Sequence, residues 1–432
     1  MKVTLLTLGC KVNQSETASI EAGLVQSGHR IVSLDEKPDV CVINTCSVTS
    51  KSDYQSRQLI RRAVQTGANL IVTGCYSELN AADLAEMKGN IRIVPNVDKT
   101  SIIKIITAEG SSELSTSEAL KKPGSGRSRH FLKIQDGCSF SCSYCVIRKA
   151  RGPARSVAPE TVIERVRQAE ECGYREVVLT GIHLGLFSYR NSYGTSAGLS
   201  TLVEKILAET GIGRIRLSSL EVNEIDDRLI DLMRTGRLCR HIHIPLQSGD
   251  DRVLSLMKRR YKSQAFANKV NKLVSEIPFI AIGTDVIIGF PGEGEQEFGN
   301  TMRLLEELPL AYMHVFPYSE RPGTDAACLP GKVDGLVKKK RASVIRELAQ
   351  RKKEIFMDSL ANEEFNVIIE EGPELPEAGQ AGYTGITDNY VKVLIPIENT
   401  GHQSDLPAGS GMDISILGRK HDIAIGKPLI KP

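Results

Sequence analysis

No run of about 18 consecutive apolar residues occurs in the chain, so no transmembrane helix and no membrane partner are expected. The opening MKVTLLTLGCKVN has one Lys ahead of an apolar run shorter than the core of a secretory signal, which points to a cytoplasmic protein. Neither sign of charge dominates: 55 Lys and Arg against 52 Asp and Glu leave +3, which excludes a generic polycation but permits a local basic face for nucleic acid. No internal repeat of about 20 to 50 residues is apparent, so a solenoid is excluded. Tryptophan is absent, which excludes nothing. What the chain does have is length and cysteine. Its 432 residues, 41% hydrophobic, give room for about three domains with real cores. Ten cysteines in a compartment that keeps thiols reduced are no disulfide framework; clustered ones point to metal ligation or catalysis, and isolated ones to packed hydrophobes.

The first stretch alternates strand and helix. KVTLLTLG (2–9) reads as a buried strand and 13–29 as a helix opened by Asn13, with Glu16 three residues on completing a capping-box pattern. VCVIN (40–44), a helix near 53–65, NLIVTG (69–74), a short helix near 80–87 and IRIVP (91–95) continue a parallel α/β domain. The polar segment 110–130 reads as a linker. Six further strands, at 131–135, 175–181, 214–220, 241–246, 279–290 and 312–318, with helical patterns between them, predict a partial β/α barrel. An amphipathic helix over 332–356 follows, with Leu336, Val337, Val344, Ile345 and Leu348 as its expected apolar stripe. The tail changes character: short strands at 364–371, 387–397, 413–418 and 421–426, set between Gly- and Pro-rich turns, predict a small β-barrel. The fold class is therefore multi-domain α/β.

Two cysteine trios stand out. Cys10, Cys46 and Cys75 each fall just past the carboxyl end of a predicted strand, at the edge where open α/β sheets build ligand sites. Cys41 lies inside its strand and reads as a core thiol. Three buried cysteines are the plain alternative for the trio; three at equivalent strand ends favour a metal site with one open coordination position, because no fourth His or Cys lies at those ends. CSFSCSYC (138–145) is more specific: Cys138, Cys142 and Cys145 in C-x3-C-x2-C spacing follow the first barrel strand, at the barrel end where such folds place chemistry. A zinc knuckle is the alternative, for which Cys172 or His183 would have to serve as fourth ligand.

The C-x3-C-x2-C loop resembles that of the radical S-adenosylmethionine (SAM) enzymes, and LTGIHLG (179–185), LSSLEV (217–222), HIPLQSG (243–249) and TDVIIGFPGE (284–293) fall where that superfamily places its SAM-binding segments. With the amino-terminal trio, the match narrows to the methylthiotransferases and covers essentially the whole chain. TLGCKVNQSET, INTCSVT and HIHIPLQSGDDRVLSLMKRRY look most like the MtaB-type group acting on threonylcarbamoyladenosine in tRNA; the group acting on isopentenyladenosine usually has GCQMN at the first motif, and the ribosomal-protein group GCPKN. The resemblance implies three domains: an α/β domain over 1–112, a radical SAM barrel over 124–354 and a TRAM-like RNA-binding barrel over 357–430. It implies a [4Fe–4S] cluster on Cys138, Cys142 and Cys145 whose fourth iron is chelated by SAM, and an auxiliary [4Fe–4S] cluster on Cys10, Cys46 and Cys75. Thr180, Gly181, Ser218, Glu221, Gln247, Asp285, Gly289 and Pro291 fall in the SAM-binding motifs. One departure is local: Arg148 stands where Pro is usual after the last cysteine, while Arg151 and Gly152 remain.

The implied reaction cleaves one SAM to methionine and a 5′-deoxyadenosyl radical, which takes hydrogen from C2 of the modified adenine at tRNA position 37, and places there a sulfur from the auxiliary cluster's open iron methylated by a second SAM. Its implied partners are a tRNA anticodon stem-loop and a reductant such as a flavodoxin or ferredoxin. Asp285 and Glu293 are candidate contacts to SAM or substrate, or else capping or solvated carboxylates. KKKR (338–341) and RKK (351–353) either attract phosphate or form a solvated helix face. Tyr383 and Tyr390 either stack on exposed bases or fill the barrel core. A zinc-holding RNA-binding protein is the alternative of another class.

Overall fold

Apolar runs that end on Gly-Cys or Thr-Cys build the first layer. Lys2–Thr7, Val40–Thr45, Asn69–Gly74 and Ile91–Ile93 pair in parallel, and Arg30–Ile31, too short to be read from sequence, joins at the far edge. The structure is a computed structural model and describes residues 1–110, 128–190, 196–374, 381–397 and 406–429; most of the expected linker, 111–127, lies outside them. Spatial order begins Arg30–Ile31, Lys2–Thr7, Val40–Thr45, so the chain reverses direction across the sheet beside Lys2–Thr7. That reversal opens a crevice at the carboxyl ends of Lys2–Thr7 and Val40–Thr45, where Cys10 and Cys46 follow.

The first helix begins two residues earlier than expected, at Lys11, with Cys10 as its N-cap. Asn13 and Glu16 make no capping box. Asn13 Nδ2 donates to the carbonyls of Leu8 and Thr45, and Glu16 is buried among Lys99, Lys133 and Arg151. The N-x-x-E spacing that suits a cap here serves a long-range polar network instead.

The central domain holds six parallel strands in two three-stranded halves. One is Arg214–Leu217, Glu176–Thr180, His130–Lys133; the other is His241–His243, Ala281–Ile288, Tyr312–Pro317. The backbone joins them, Cys239 N donating to Ile215 O and Leu220 N to His243 O, and a single hydrophobic core runs behind both halves. The result is a half-barrel. The first domain meets the half-barrel at one open edge and at the loop that follows the other. At the first, Ser15 Oγ donates to Phe131 O; at the second, Arg321 reaches Asp53 and Ser47 across the gap.

The helix after the half-barrel runs Gly335–Asp358 and buries Arg341, Ala342, Ile345, Leu348 and Met357. The expected stripe is half right: Leu336 is 79% exposed, and Val337 and Val344 are also exposed. Arg341 fills the place assigned to them, because Glu293 and Glu295 neutralise it there. Glu293 has structural partners: its carboxylate accepts from Arg341 and from Gly289 N. The KKKR run is correspondingly not a uniform charged face, since Arg341 is buried and Lys338 packs over the Tyr318 ring.

The tail closes a five-stranded barrel from Glu364–Glu374, Gly382–Thr387, Lys392–Pro396, Ile423–Pro428 and Gly411–Lys420. The strand expected over 387–397 shortens to Lys392–Pro396 after a tight turn, held by Val391 N donating to Thr387 Oγ1 and by Tyr390 at φ 67°, and Gly382–Thr387 is a strand not expected from sequence. Tyr383 is 2% exposed in the barrel core, so it stacks on no base. Tyr390 does not fill the barrel core: its ring leaves the barrel and stacks on His241 of the half-barrel, centroids 4.3 Å apart. Among the described residues no helix is long and apolar enough to cross a membrane.

Candidate active site

Two glycines set the amino-terminal trio. Gly9 and Gly74 precede Cys10 and Cys75 and sit at φ 105° and 104°, a region open to glycine. A Cβ on Gly9 would lie 2.9 Å from Cys46 Sγ, and one on Gly74 would lie 2.3 Å from Thr45 O. The Gly-Cys pairs therefore let three strand ends approach until the thiols interact: Cys46 and Cys75 each feel Cys10. Burial pushes the Cys46 and Cys75 thiols up, so the protons stay on until a metal displaces them.

The second trio lies in a pinned loop. Cys138 N donates to Gly152 O, Cys145 N to Cys142 O, and Ser143 bonds Met257 O through its backbone and Leu256 O through its hydroxyl. Donors surround the sulfurs: Phe140 N lies 3.4 Å from Cys138 Sγ, His183 Nδ1 3.3 Å from the same atom and Arg259 Nη1 3.5 Å from Cys142 Sγ. Burial opposes charge on His183, but Cys138 and Glu224 on either side of the ring outweigh it and push the imidazole up to about 9. A site rimmed by cations suits an anionic thiolate group.

Neither trio is drawn around a single ion. Among the described residues, the one group of three metal-ligating side chains whose donor atoms all lie within 4.8 Å of one another is His243, Asp285 and His314. Thiolates bound at about 2.3 Å to one tetrahedral zinc would sit about 3.8 Å apart. Wider spacing and an all-sulfur donor set fit a cluster better than a structural zinc. His183, considered as a fourth zinc ligand, does reach Cys138, yet its other nitrogen is held 2.6 Å from Glu224.

Arg151 ties the two trios together. It lies on the short helix that follows Cys145, its side chain is fully buried, and its Nε donates to Cys75 Sγ at 3.4 Å. The same guanidinium binds Glu16 at 2.7 Å, Asn13 at 2.5 Å and Asp136 at 3.1 Å. The amino-terminal trio thus faces the half-barrel mouth through one residue of the segment that follows Cys145. Sequence singled out Arg151 only as a motif position; apart from Asp136, its partners Cys75, Glu16 and Asn13 are 76 to 138 residues away and left no local signal.

The motif residues ring that mouth. Thr180 ends its strand buried, donating to Leu132 O, and a Cβ on Gly181 would press on Gln135 Oε1 at 2.8 Å. Ser218 Oγ is buried without a hydrogen-bond partner, a deficit that a ligand hydroxyl or amine would fill. Glu221 pairs with Arg259, and both line a cavity of about 190 Å³ with Phe140 and Tyr261. Gln247 sits at φ 66° with its N–H on Asp285 O; Gly289, at φ 74°, lies against Lys338; Pro291 is buried beside it. Asp285 accepts from His243 at 3.0 Å and His314 at 3.1 Å; burial opposes its charge, but these two donors hold the carboxyl well below the usual range. His243 and His314 were missed, although HIH already put His241 and His243 on one strand face.

Deeper in the half-barrel, His241 Nε2 lies 2.8 Å from Tyr312 Oη, and Tyr390 covers both rings. Lys11, next to Cys10, points its ammonium at the Tyr390 ring; burial first, then Arg216 and Arg129, lower it to about 8.

A six-stranded parallel half-barrel with C-x3-C-x2-C after its first strand defines a radical SAM enzyme, and the Radical SAM superfamily matches residues 132–305. Residues 2–95 match a family described as Uncharacterized protein family UPF0004. The chain is 36% identical over 408 residues to the threonylcarbamoyladenosine tRNA methylthiotransferase MtaB of Aquifex aeolicus, covering 91% of this chain and 96% of that protein. It is 37% identical to the MtaB of Bacillus subtilis over 91% of this chain and 90% of that one. The fold is similar to the radical SAM methyltransferase TsrM of Kitasatospora setae, with TM-score 0.55 at 13% identity over 76% of this chain and 77% of that one. The chain belongs to the radical SAM methylthiotransferase family, in its MtaB-type branch. It is a tRNA-modifying enzyme of a superfamily that uses a [4Fe–4S] cluster and SAM.

Proposed function

We propose that this enzyme methylthiolates C2 of N6-threonylcarbamoyladenosine at position 37 of tRNA, beside the anticodon, in the cytoplasm. The observation that carries the reading is Arg151, which joins the SAM-cluster segment to Cys75 and so sets two three-cysteine sites at one mouth. When bound, a reduced [4Fe–4S] cluster with SAM supplies a radical able to take hydrogen from an unactivated carbon, and a second cluster with an open iron supplies sulfur. Cys138, Cys142 and Cys145 would hold the first, and Cys10, Cys46 and Cys75 the second.

The chain's own side chains do the remaining work. Glu221 and Arg259, an ion pair touching Cys142, offer one charge each to the amino and carboxylate groups of SAM. Ser218 offers its unpaired hydroxyl, and Thr180, Gly181, Gln247, Asp285, Gly289 and Pro291 shape the walls that exclude water. Arg151 fixes the distance between the trios, since any shift of either would strand its buried charge. The adenine enters splayed out of the anticodon loop, and a flavodoxin or ferredoxin delivers the electron.

The test is mass spectrometry of tRNA nucleosides from a strain lacking the gene. Loss of 2-methylthio-threonylcarbamoyladenosine, restored by the wild-type gene, is expected; its persistence while another methylthio nucleoside disappears would reassign the substrate. In vitro, Cys10→Ala should still cleave SAM without inserting sulfur, whereas Cys142→Ala should do neither.

A further inference from the structure

One charged side chain of this cleft is used by neither cysteine trio nor the SAM cradle. Lys11 opens the Lys11–Gln26 helix directly after Cys10, and its Nζ lies 5.5 Å from the centroid of the Tyr390 ring. Two guanidiniums crowd the same ring, Arg216 at 5.2 Å and Arg129 at 5.9 Å. Those two are compensated. Arg216 pairs with Glu176 and donates to the carbonyls of Thr387 and Asp388, while Arg129 pairs with Glu176 and Glu370. Lys11 is not. Among the described residues its ammonium has no carboxylate at ion-pair distance and no hydrogen-bond acceptor. Glu176, the carboxylate whose charge it feels, is already shared among three arginines.

A sheltered ammonium without a counter-ion costs free energy that an anion from outside would recover. The neighbouring guanidiniums repel a second cation and attract that anion, so the surroundings of the Lys11 ammonium favour negative charge. An uncharged hydrocarbon placed there would leave Lys11 as unpaired as before, and a site built this way discriminates strongly.

We propose that Lys11 binds a carboxylate carried on the N6 substituent of the substrate adenine, and that it thereby selects an amino-acid-bearing adenosine over a hydrocarbon-bearing one. The proposal rests on the functional reading above and adds the residue that enforces it. A competing role for Lys11 is to offset the charge of a cluster on Cys10.

The experiment measures binding of the iron–sulfur-loaded enzyme to three fluorescent anticodon stem-loops: threonylcarbamoyladenosine at position 37, the same nucleoside as its carboxamide, and plain adenosine. Iron and sulfide are assayed in parallel. Wild type should prefer the acid to the amide by about 10- to 100-fold. Lys11→Gln should lose that preference while binding the amide as wild type does and keeping its iron and sulfide; Lys11→Arg should keep most of the preference. No acid preference in wild type, or its survival in Lys11→Gln, overturns the proposal. So does a Lys11→Gln enzyme that loses iron and weakens on acid and amide alike, which would assign Lys11 to the cluster. Failure of the functional reading shows earlier and separately: wild type would then bind plain adenosine as well as either modified loop, and the proposal would fall with it.

Discussion

Glu176 is fully buried between the guanidiniums of Arg129, Arg214 and Arg216. Burial alone would favour its neutral form, but Arg216 and Arg214 outweigh that and hold the carboxyl well below the ordinary range. Because the folded state depresses this group, its stabilisation is complete above the unfolded value of about 4.3 and is lost as pH falls toward the folded one. Melting temperature, so far as Glu176 governs it, should be flat from about pH 8 to 5 and fall below about pH 4. Glu176→Gln keeps the volume and removes the charge, leaving three sheltered guanidiniums short of a partner. A loss of about 3–5 kcal/mol is expected, with a flatter acid limb. Calorimetry across pH on both proteins checks it; an unchanged acid limb would mean that other carboxylates set the acid transition.

At the scale of elements, the Gly-Cys turns are as decisive as the cysteines. Gly74→Ala must move Thr45 O or the helix that starts at Cys75, because its Cβ would sit 2.3 Å from that oxygen at a φ that strains alanine. The variant should bind about half the iron of wild type, cleave SAM and insert no sulfur. Iron analysis beside 5′-deoxyadenosine and product assays would show it; full iron in Gly74→Ala would argue against the auxiliary site. These turns were legible in sequence because apolar runs ending on TLGC, NTC and TGC are local signals. The six half-barrel strands were legible for the same reason. The polar network was not: Asn13 and Glu16 fit a capping box on paper, and only Arg151, 135 residues after Glu16, diverts them. Nor was Gly382–Thr387 read as a strand, since its two glycines, at 382 and 385, break the apolar alternation. Arg341 is buried beside Ile345 and Leu348 where Leu336, Val337 and Val344 were expected, because its burial followed its ion partners rather than its polarity.

At the scale of the whole molecule, the carboxyl-terminal barrel is docked rather than tethered. Arg214 donates to the carbonyls of Asn366 and Ile386, Arg216 to those of Thr387 and Asp388, Arg240 pairs with Asp388, and Asn389 donates to Phe279 O. Each of these arginines belongs to or adjoins a half-barrel strand, so the tail satisfies charges that the half-barrel cannot satisfy alone. A barrel that was only tethered would behave differently from this one on removal. Deleting residues 357–432 should weaken tRNA binding and its salt dependence, as loss of phosphate contacts would in either case. It should also lower the melting temperature of what remains and loosen its iron, because Arg214 and Arg216 lose their acceptors and Tyr390 no longer covers His241 and Lys11. Asp388→Ala, which cuts one ion pair and keeps the barrel, should give a smaller shift of the same sign. Calorimetry and iron retention separate the two arrangements: a truncated enzyme as stable as the full chain, weakened only toward RNA, would mean that the docking contacts do not hold the half-barrel together.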